Sequence, residues 1–80
     1  MIKELDRVVL TVALPEYGLQ PGDVGTVVMV YQGGSGYEAE FMTLDGETIA
    51  VETLLPQQIR PIGHREVTHA RAVAEAAAQG

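Results

Sequence analysis

Few side chains in this sequence could carry covalent or acid–base chemistry. There is no cysteine, which excludes thiolate nucleophiles, thiolate zinc sites and disulfides. One serine, Ser35, sits inside the glycine-rich run GGSG, and one lysine, Lys3, stands near the N-terminus. His64 and His69 are five residues apart, and on a helix that spacing sets them about 140° around the axis from each other, too far to share one metal. Glu38 and Glu52 could imitate a general acid and base, but such a pair needs water excluded and its two pKa values separated. An open strand face does neither, and an acidic strand face is as a rule a solvated one. GGSG (33–36) has the glycine content of a phosphate cradle, but a cradle needs backbone N–H groups at a helix start, with a lysine and a hydroxyl nearby. Here the run joins two strand-like segments with no basic residue following, so it reads as a flexible hairpin turn. The inventory supplies no catalytic, metal or cofactor-binding residues, and the expectation is a protein that is not an enzyme.

Charge narrows the class of partner. The net charge is −6, and residues 1–62 hold nine acids against three bases, so the whole imbalance lies there. Nucleic-acid affinity comes from clustered Lys and Arg, so this surface disfavours DNA and RNA. Such a surface is compatible with a basic protein partner but does not imply one, since acid-rich surfaces also serve solubility alone. The N-terminal MIKELDRVVL is too polar for a signal peptide or a membrane span. The expectation is a cytoplasmic protein with no membrane association, and the absence of cysteine is compatible with a reducing compartment.

The elements that would position these groups are mostly strands. RVVLTVAL (7–14) is apolar and β-branched and is closed by Pro15. A polar excursion with two prolines and two glycines follows (15–23), then a second strand over 23–31 with apolar side chains on both faces. YEAEFMT (37–43) and ETIAVETL (47–54) are the third and fourth strands; PQQIRPI (56–62) reads as one tight helical turn and a short fifth strand limited by Pro61. Gly22 and Gly25 bracket Asp23 and mark a turn followed by a close-packed or bulged start to strand two. After Gly63 the composition shifts, and Val67, Ala70, Val73, Ala74 and Ala77 recur at helical spacing. The predicted organisation is a mainly β unit over 1–62 and a helical tail over 63–80.

Turn chemistry sets the predicted register of strands three and four. A two-residue Asp45-Gly46 loop would mix acids into the core. A three-residue loop, Leu44-Asp45-Gly46 with Gly46 left-handed, pairs Thr43 with Glu47 instead. Carried on without interruption, that register sets Phe41 against Ile49, Ala39 against Val51 and Glu38 against Glu52, leaving one apolar face and one acidic face.

The run PGDVGTVVMVY resembles the KOW element of small SH3-like barrels. MIKELDRVVLT, LPEYGLQPGDVGTVV, YEAEFMTLDGET and QQIRPI, in that order, resemble a family of short bacterial proteins, domain of unknown function 4926. The resemblance covers residues 1–62 and implies a five-stranded SH3-like barrel. Because members sit beside toxin-like or mobile genes, it also implies an antitoxin, immunity or accessory role. It carries over no catalytic residue. The KOW likeness points to nucleic-acid binding, a reading that the acidic charge disfavours.

Three functional expectations follow: a non-catalytic protein-interaction module, a structural or assembly subunit of an enzyme complex, and, disfavoured, a nucleic-acid binder. Candidate partner-binding residues are Glu38, Glu40 and Glu52 on the acidic face and Tyr17 in the long loop, where SH3-like domains place peptide-contacting residues. Polyproline grooves need several aligned aromatics, and this chain has four in all and no Trp. Self-association as a homo-oligomer is expected through Val27, Met29 and Tyr31 of strand two and Val67, Ala70, Val73, Ala74 and Ala77 of the tail. A helix of about fifteen residues is marginal in water and must dock, on its own barrel or on another copy.

Overall fold

The computed structural model describes residues 1–73. Five strands, β1 (Arg7–Leu10), β2 (Val24–Val30), β3 (Tyr37–Met42), β4 (Thr48–Leu54) and β5 (Ile59–Pro61), form one antiparallel sheet in the order β4-β3-β2-β1-β5. Each predicted strand is present. The turn at Pro56–Gln58 is a 3₁₀ turn, held by the Leu55 N–H donating to Gln58 Oε1 at 2.7 Å. GGSG lies in the connection between β2 and β3. The first strand is shorter than its apolar run because Thr11 leaves the sheet. Its N–H donates to the Gln58 carbonyl and its hydroxyl to the Gln57 carbonyl, both at 2.8 Å. Val12 and Leu14 still pack on the core, from a loop rather than a strand.

The core lies against one face of the sheet. Phe41, Leu10, Leu54, Val8 and Val27 are its largest fully buried side chains, and Leu19, Tyr37, Ala39 and Ile59 complete the cluster. Each large apolar side chain removed from water in this way contributes roughly 1.5–3 kcal/mol before the entropy of ordering is set against it.

Two β-bulges decide which side chains face it. The β2–β3 register shifts between Val27 and Met29, leaving Val28 without a partner. Val27 therefore faces the core opposite Ala39, Met29 faces out opposite Glu38, and Val30 turns in opposite Tyr37. Val27 and Met29 thus lie on opposite faces, and Val27, expected at a self-association surface, is fully buried and presents no surface to another copy. The sequence shows two apolar faces because the bulge at Val28 turns Val27 and Val30 to the core and leaves Val28 and Met29 exposed.

The second bulge corrects the register of β3 and β4. The loop closes as predicted: Thr43 N–H donates to the Glu47 carbonyl at 2.7 Å, Gly46 N–H to the Thr43 carbonyl at 3.0 Å, and Gly46 has φ +97°. Ile49 is then the extra residue, because Met42 pairs with Thr48 and Phe41 with Ala50. The pairing becomes Ala39 with Glu52, Glu40 with Val51 and Glu38 with Thr53. Beyond the bulge every side chain of β4 is inverted relative to the uninterrupted register. Ala50 and Leu54 are buried as a result, and Glu52 leaves the face that holds Glu38 and Glu40.

The tail over 63–73 is not helical. Arg65 is left-handed at φ 62°, which breaks any helix begun at Gly63. Glu66 instead closes a tight turn: its carboxylate accepts from Arg60 Nη1 at 2.9 Å, Arg60 Nη2 at 2.6 Å and the Gly63 N–H at 2.5 Å. A short helix without a docked face does not repay its nucleation cost, and the segment takes these polar contacts instead. The predicted helix therefore fails over its first half, while Ala74 and Ala77 lie outside the described residues. Val67 is 90% exposed and Ala70 is exposed; Val73 is half-buried. Among the described residues no helix is long and apolar enough to cross a membrane.

Candidate functional site: an acid-lined groove

The excursion between β1 and β2 is tied by hydrogen bonds along its length despite its composition. Leu14 and Leu19 pair across it and bracket a 3₁₀ turn at Pro15–Tyr17. Asp23 fixes its other end. The Gln20 N–H donates to Asp23 Oδ2 at 2.8 Å, and the Asp23 N–H returns to the Gln20 carbonyl at 3.1 Å. The Leu10 N–H donates to the Asp23 carbonyl and the Gly22 N–H to the Leu10 carbonyl, both at 2.8 Å, joining this turn to β1.

A groove of about 1070 Å³ runs between this loop, the β3–β4 hairpin and tail residues 67–73. Tyr17, Val24, Met42, Leu44 and Ile49 supply apolar lining, and Glu16, Asp23, Asp45 and Glu47 supply acids. The bases that line it, His69 and Arg71, both come from the tail. Asp23 is paired with Arg71, and Asp45 accepts from the Thr43 hydroxyl. Among the described residues the carboxylates of Glu16 and Glu47 make no hydrogen bond or ion pair within the chain, and both are exposed. Two uncompensated acids beside an apolar floor form a surface complementary to a basic, partly apolar segment.

The predicted partner-binding residues divide between two faces. Tyr17 lines the groove, with Glu52 as its acceptor, and the hydrogen bond and charge of Glu52 raise the Tyr17 pKa above its ordinary value. Glu38 and Glu40 project from the opposite face of the sheet, in rows with Met29 and Thr53 and with Thr26 and Val51. Their carboxylates are already engaged. Tyr31 Oη donates to Glu38 Oε2 at 2.5 Å, which raises the Tyr31 pKa, and Thr48 Oγ1 donates to Glu40 Oε2 at 2.7 Å. A single acidic face containing Glu38, Glu40 and Glu52 therefore does not form, because the Ile49 bulge separates Glu52 from the other two.

His64 and His69 are exposed on a non-helical segment, so the helical spacing does not apply to them. Sequence reasoning missed Glu16, Asp23 and Glu47 as groove residues and Arg71 as their neighbour. Asp23 looked like turn punctuation, which it also is; no local pattern signals a partner 48 residues away.

No curated protein and no solved structure matches the chain. A family model matches residues 4–61, which include all five strands, the groove loop and the β3–β4 hairpin but leave out the tail with Arg71. By that match the chain belongs to the family described as domain of unknown function 4926.

Proposed function

We propose that this protein is a non-catalytic interaction module on an SH3-like barrel, acting as an antitoxin, immunity or accessory protein for a basic protein partner. The observation that carries this reading is the groove, in which Glu16 and Glu47 stand uncompensated beside Tyr17, Met42 and Ile49. Charge of one sign in a concave, partly apolar site raises the encounter rate of an oppositely charged partner and sets its orientation. The carboxylates that might have formed an acid–base pair, Glu38 and Glu52, lie on opposite faces of the sheet, which supports a binding rather than a catalytic role. The test is capture from the native host with tagged full-length protein, followed by mass spectrometry. The expected result is a basic protein that is retained at low salt, released at high salt and lost with Glu16→Lys/Glu47→Lys. Capture that ignores both salt and charge reversal overturns the reading.

A second reading, an assembly subunit that pairs with its own copies, has separate support. The face opposite the core exposes Met29 and Val51, 45% and 49% accessible. Interleaved with Glu38 and Glu40, these form an apolar patch on a sheet face. Light scattering on the full chain decides it. A dimeric or larger mass that Met29→Glu/Val51→Glu converts to monomer supports assembly, and a monomer at high concentration refutes it.

A further inference from the structure

We propose that loop 18–23 is a receptor for an arginine side chain, that Arg71 is its intramolecular occupant, and that an arginine in an extended segment of the basic partner displaces it. This inference rests on the interaction-module reading and adds to it the residue recognised and the strap that competes for the site.

The receptor geometry is that of a guanidinium fork. Arg71 Nε donates to Asp23 Oδ1 at 3.0 Å, and Nη2 donates both to Asp23 Oδ2 and to the Gly18 carbonyl, the latter at 2.9 Å. Both carboxylate oxygens are thus engaged by one planar group, and a backbone carbonyl supplies a third acceptor. Gly18 is left-handed at φ 72° at the end of the 3₁₀ turn. The contact is partly desolvated, with 23% of the Arg71 side chain and 20% of the Asp23 side chain accessible. A lysine ammonium is a point charge and cannot reproduce the two parallel bonds to the carboxylate.

The receptor is organised by bonds that do not include its occupant. Asp23 is oriented by the Gln20 N–H and tied to β1 through Leu10, and none of these bonds involves the tail. Receptor and occupant also differ in origin, because Gly18 and Asp23 lie inside the family match and Arg71 lies outside it. Over its described residues the tail is lightly held: residues 64–70 are all exposed, and besides Arg71 the surface pair Arg60–Glu66 anchors it. A strap whose described residues dock through the side chain of Arg71, with no buried apolar contact over 64–70, is suited to exchange. Asp23, Glu16 and Glu47 line the same groove, so a basic segment that places an arginine on Asp23 would bring its other basic residues to a site that also holds those two acids.

The test uses the full chain and its Arg71→Ala variant, ¹⁵N-labelled, titrated with an acetylated, amidated peptide copying residues 67–73 and with the same peptide carrying Lys in place of Arg. Shifts in the variant should centre on the amides of Gly18, Gln20 and Asp23. The wild-type chain should bind about tenfold more weakly, since a tethered competitor acts at an effective concentration in the millimolar range. The Lys peptide should also lose about tenfold against the variant. Asp23→Asn in the Arg71→Ala background should abolish binding, because Asn still accepts from Gln20 but lacks the charge. Shifts scattered away from loop 18–23, equal affinity for wild type and variant, or equal affinity for the two peptides would each overturn the proposal. Failure here with salt-sensitive, Glu16- and Glu47-dependent capture intact removes the arginine receptor alone. Specific peptide binding without such capture removes the interaction-module reading instead.

Discussion

Gly25→Ala is the substitution whose cost follows most directly from the packing. Gly25 is buried in β2 opposite Val8, and a Cβ built there meets the Phe41 ring at 2.7 Å from Cε1 and 3.0 Å from both Cδ1 and Cζ. Ordinary contact begins near 3.4 Å, so something must move. Phe41 is only 1% exposed and sits within the core cluster, so its ring cannot swing into solvent. Overpacking of this kind costs about 1–3 kcal/mol. The lower unfolded-state entropy of alanine returns roughly 0.5–1 kcal/mol, leaving a net loss of about 0–2.5 kcal/mol, centred a little above 1. A domain of this size has a total stability of order 4–12 kcal/mol, so the loss is readable as a lower urea midpoint at unchanged m-value. The decisive assay is the double-mutant cycle with Phe41→Leu, which removes the ring. Phe41→Leu destabilises on its own, but Gly25→Ala should then cost about 1 kcal/mol less than in the wild type. An identical cost in both backgrounds would refute the close approach of β2 to this ring.

Gly46→Ala should also destabilise, by roughly 1 kcal/mol, for a different reason: φ is +97° but no atom lies within 4 Å of the added Cβ, so the cost is purely conformational and Gly46→Asn should recover part of it in urea melts. Glu66 is held down at about 2 by Arg60 and the Gly63 N–H, below its ordinary value of 4.5. A lowered folded-state pKa means that the turn is fully favoured above pH 4.5 and is lost as pH falls through about 2, which NMR titration of the Glu66 carboxyl should show and Arg60→Ala should reverse. Tyr17 and Tyr31 should ionise above pH 10 because Glu52 and Glu38 accept from their hydroxyls. The contribution of these bonds is present below pH 10 and lost as pH rises through the raised values; ultraviolet titration of Glu52→Gln and Glu38→Gln should bring the respective tyrosine back toward 10.

Strand identity was legible because β-branched runs, prolines and glycines punctuate the chain at strand spacing. The hairpin loop was legible for a similar reason: Gly46 suits the left-handed position that a three-residue loop demands. Bulges were not. Nothing in VVMV or in TIAV distinguishes the residue that will lose its partner, yet Val28 and Ile49 do so and reorient the side chains beyond them. One such shift moved Glu52 away from Glu38 and Glu40, and with it the location of the candidate site. The tail misled because alanine spacing reports helix propensity, whereas Glu66 finds donors in Arg60 and Gly63 and Arg71 finds an acceptor 48 residues away. Asp23 shows the same limit, since one residue serves both the turn that its local sequence announces and a contact with Arg71 that it does not.

The groove's role in recognition is tested most directly by the association rate of the full chain with its captured partner, measured by stopped flow at low and high salt for wild type and for Glu16→Lys/Glu47→Lys. If the groove steers a basic protein, the wild-type rate falls steeply with salt, and the variant associates about tenfold more slowly at low salt with little further salt dependence. Equal rates for the two proteins, unchanged by salt, would contradict the account.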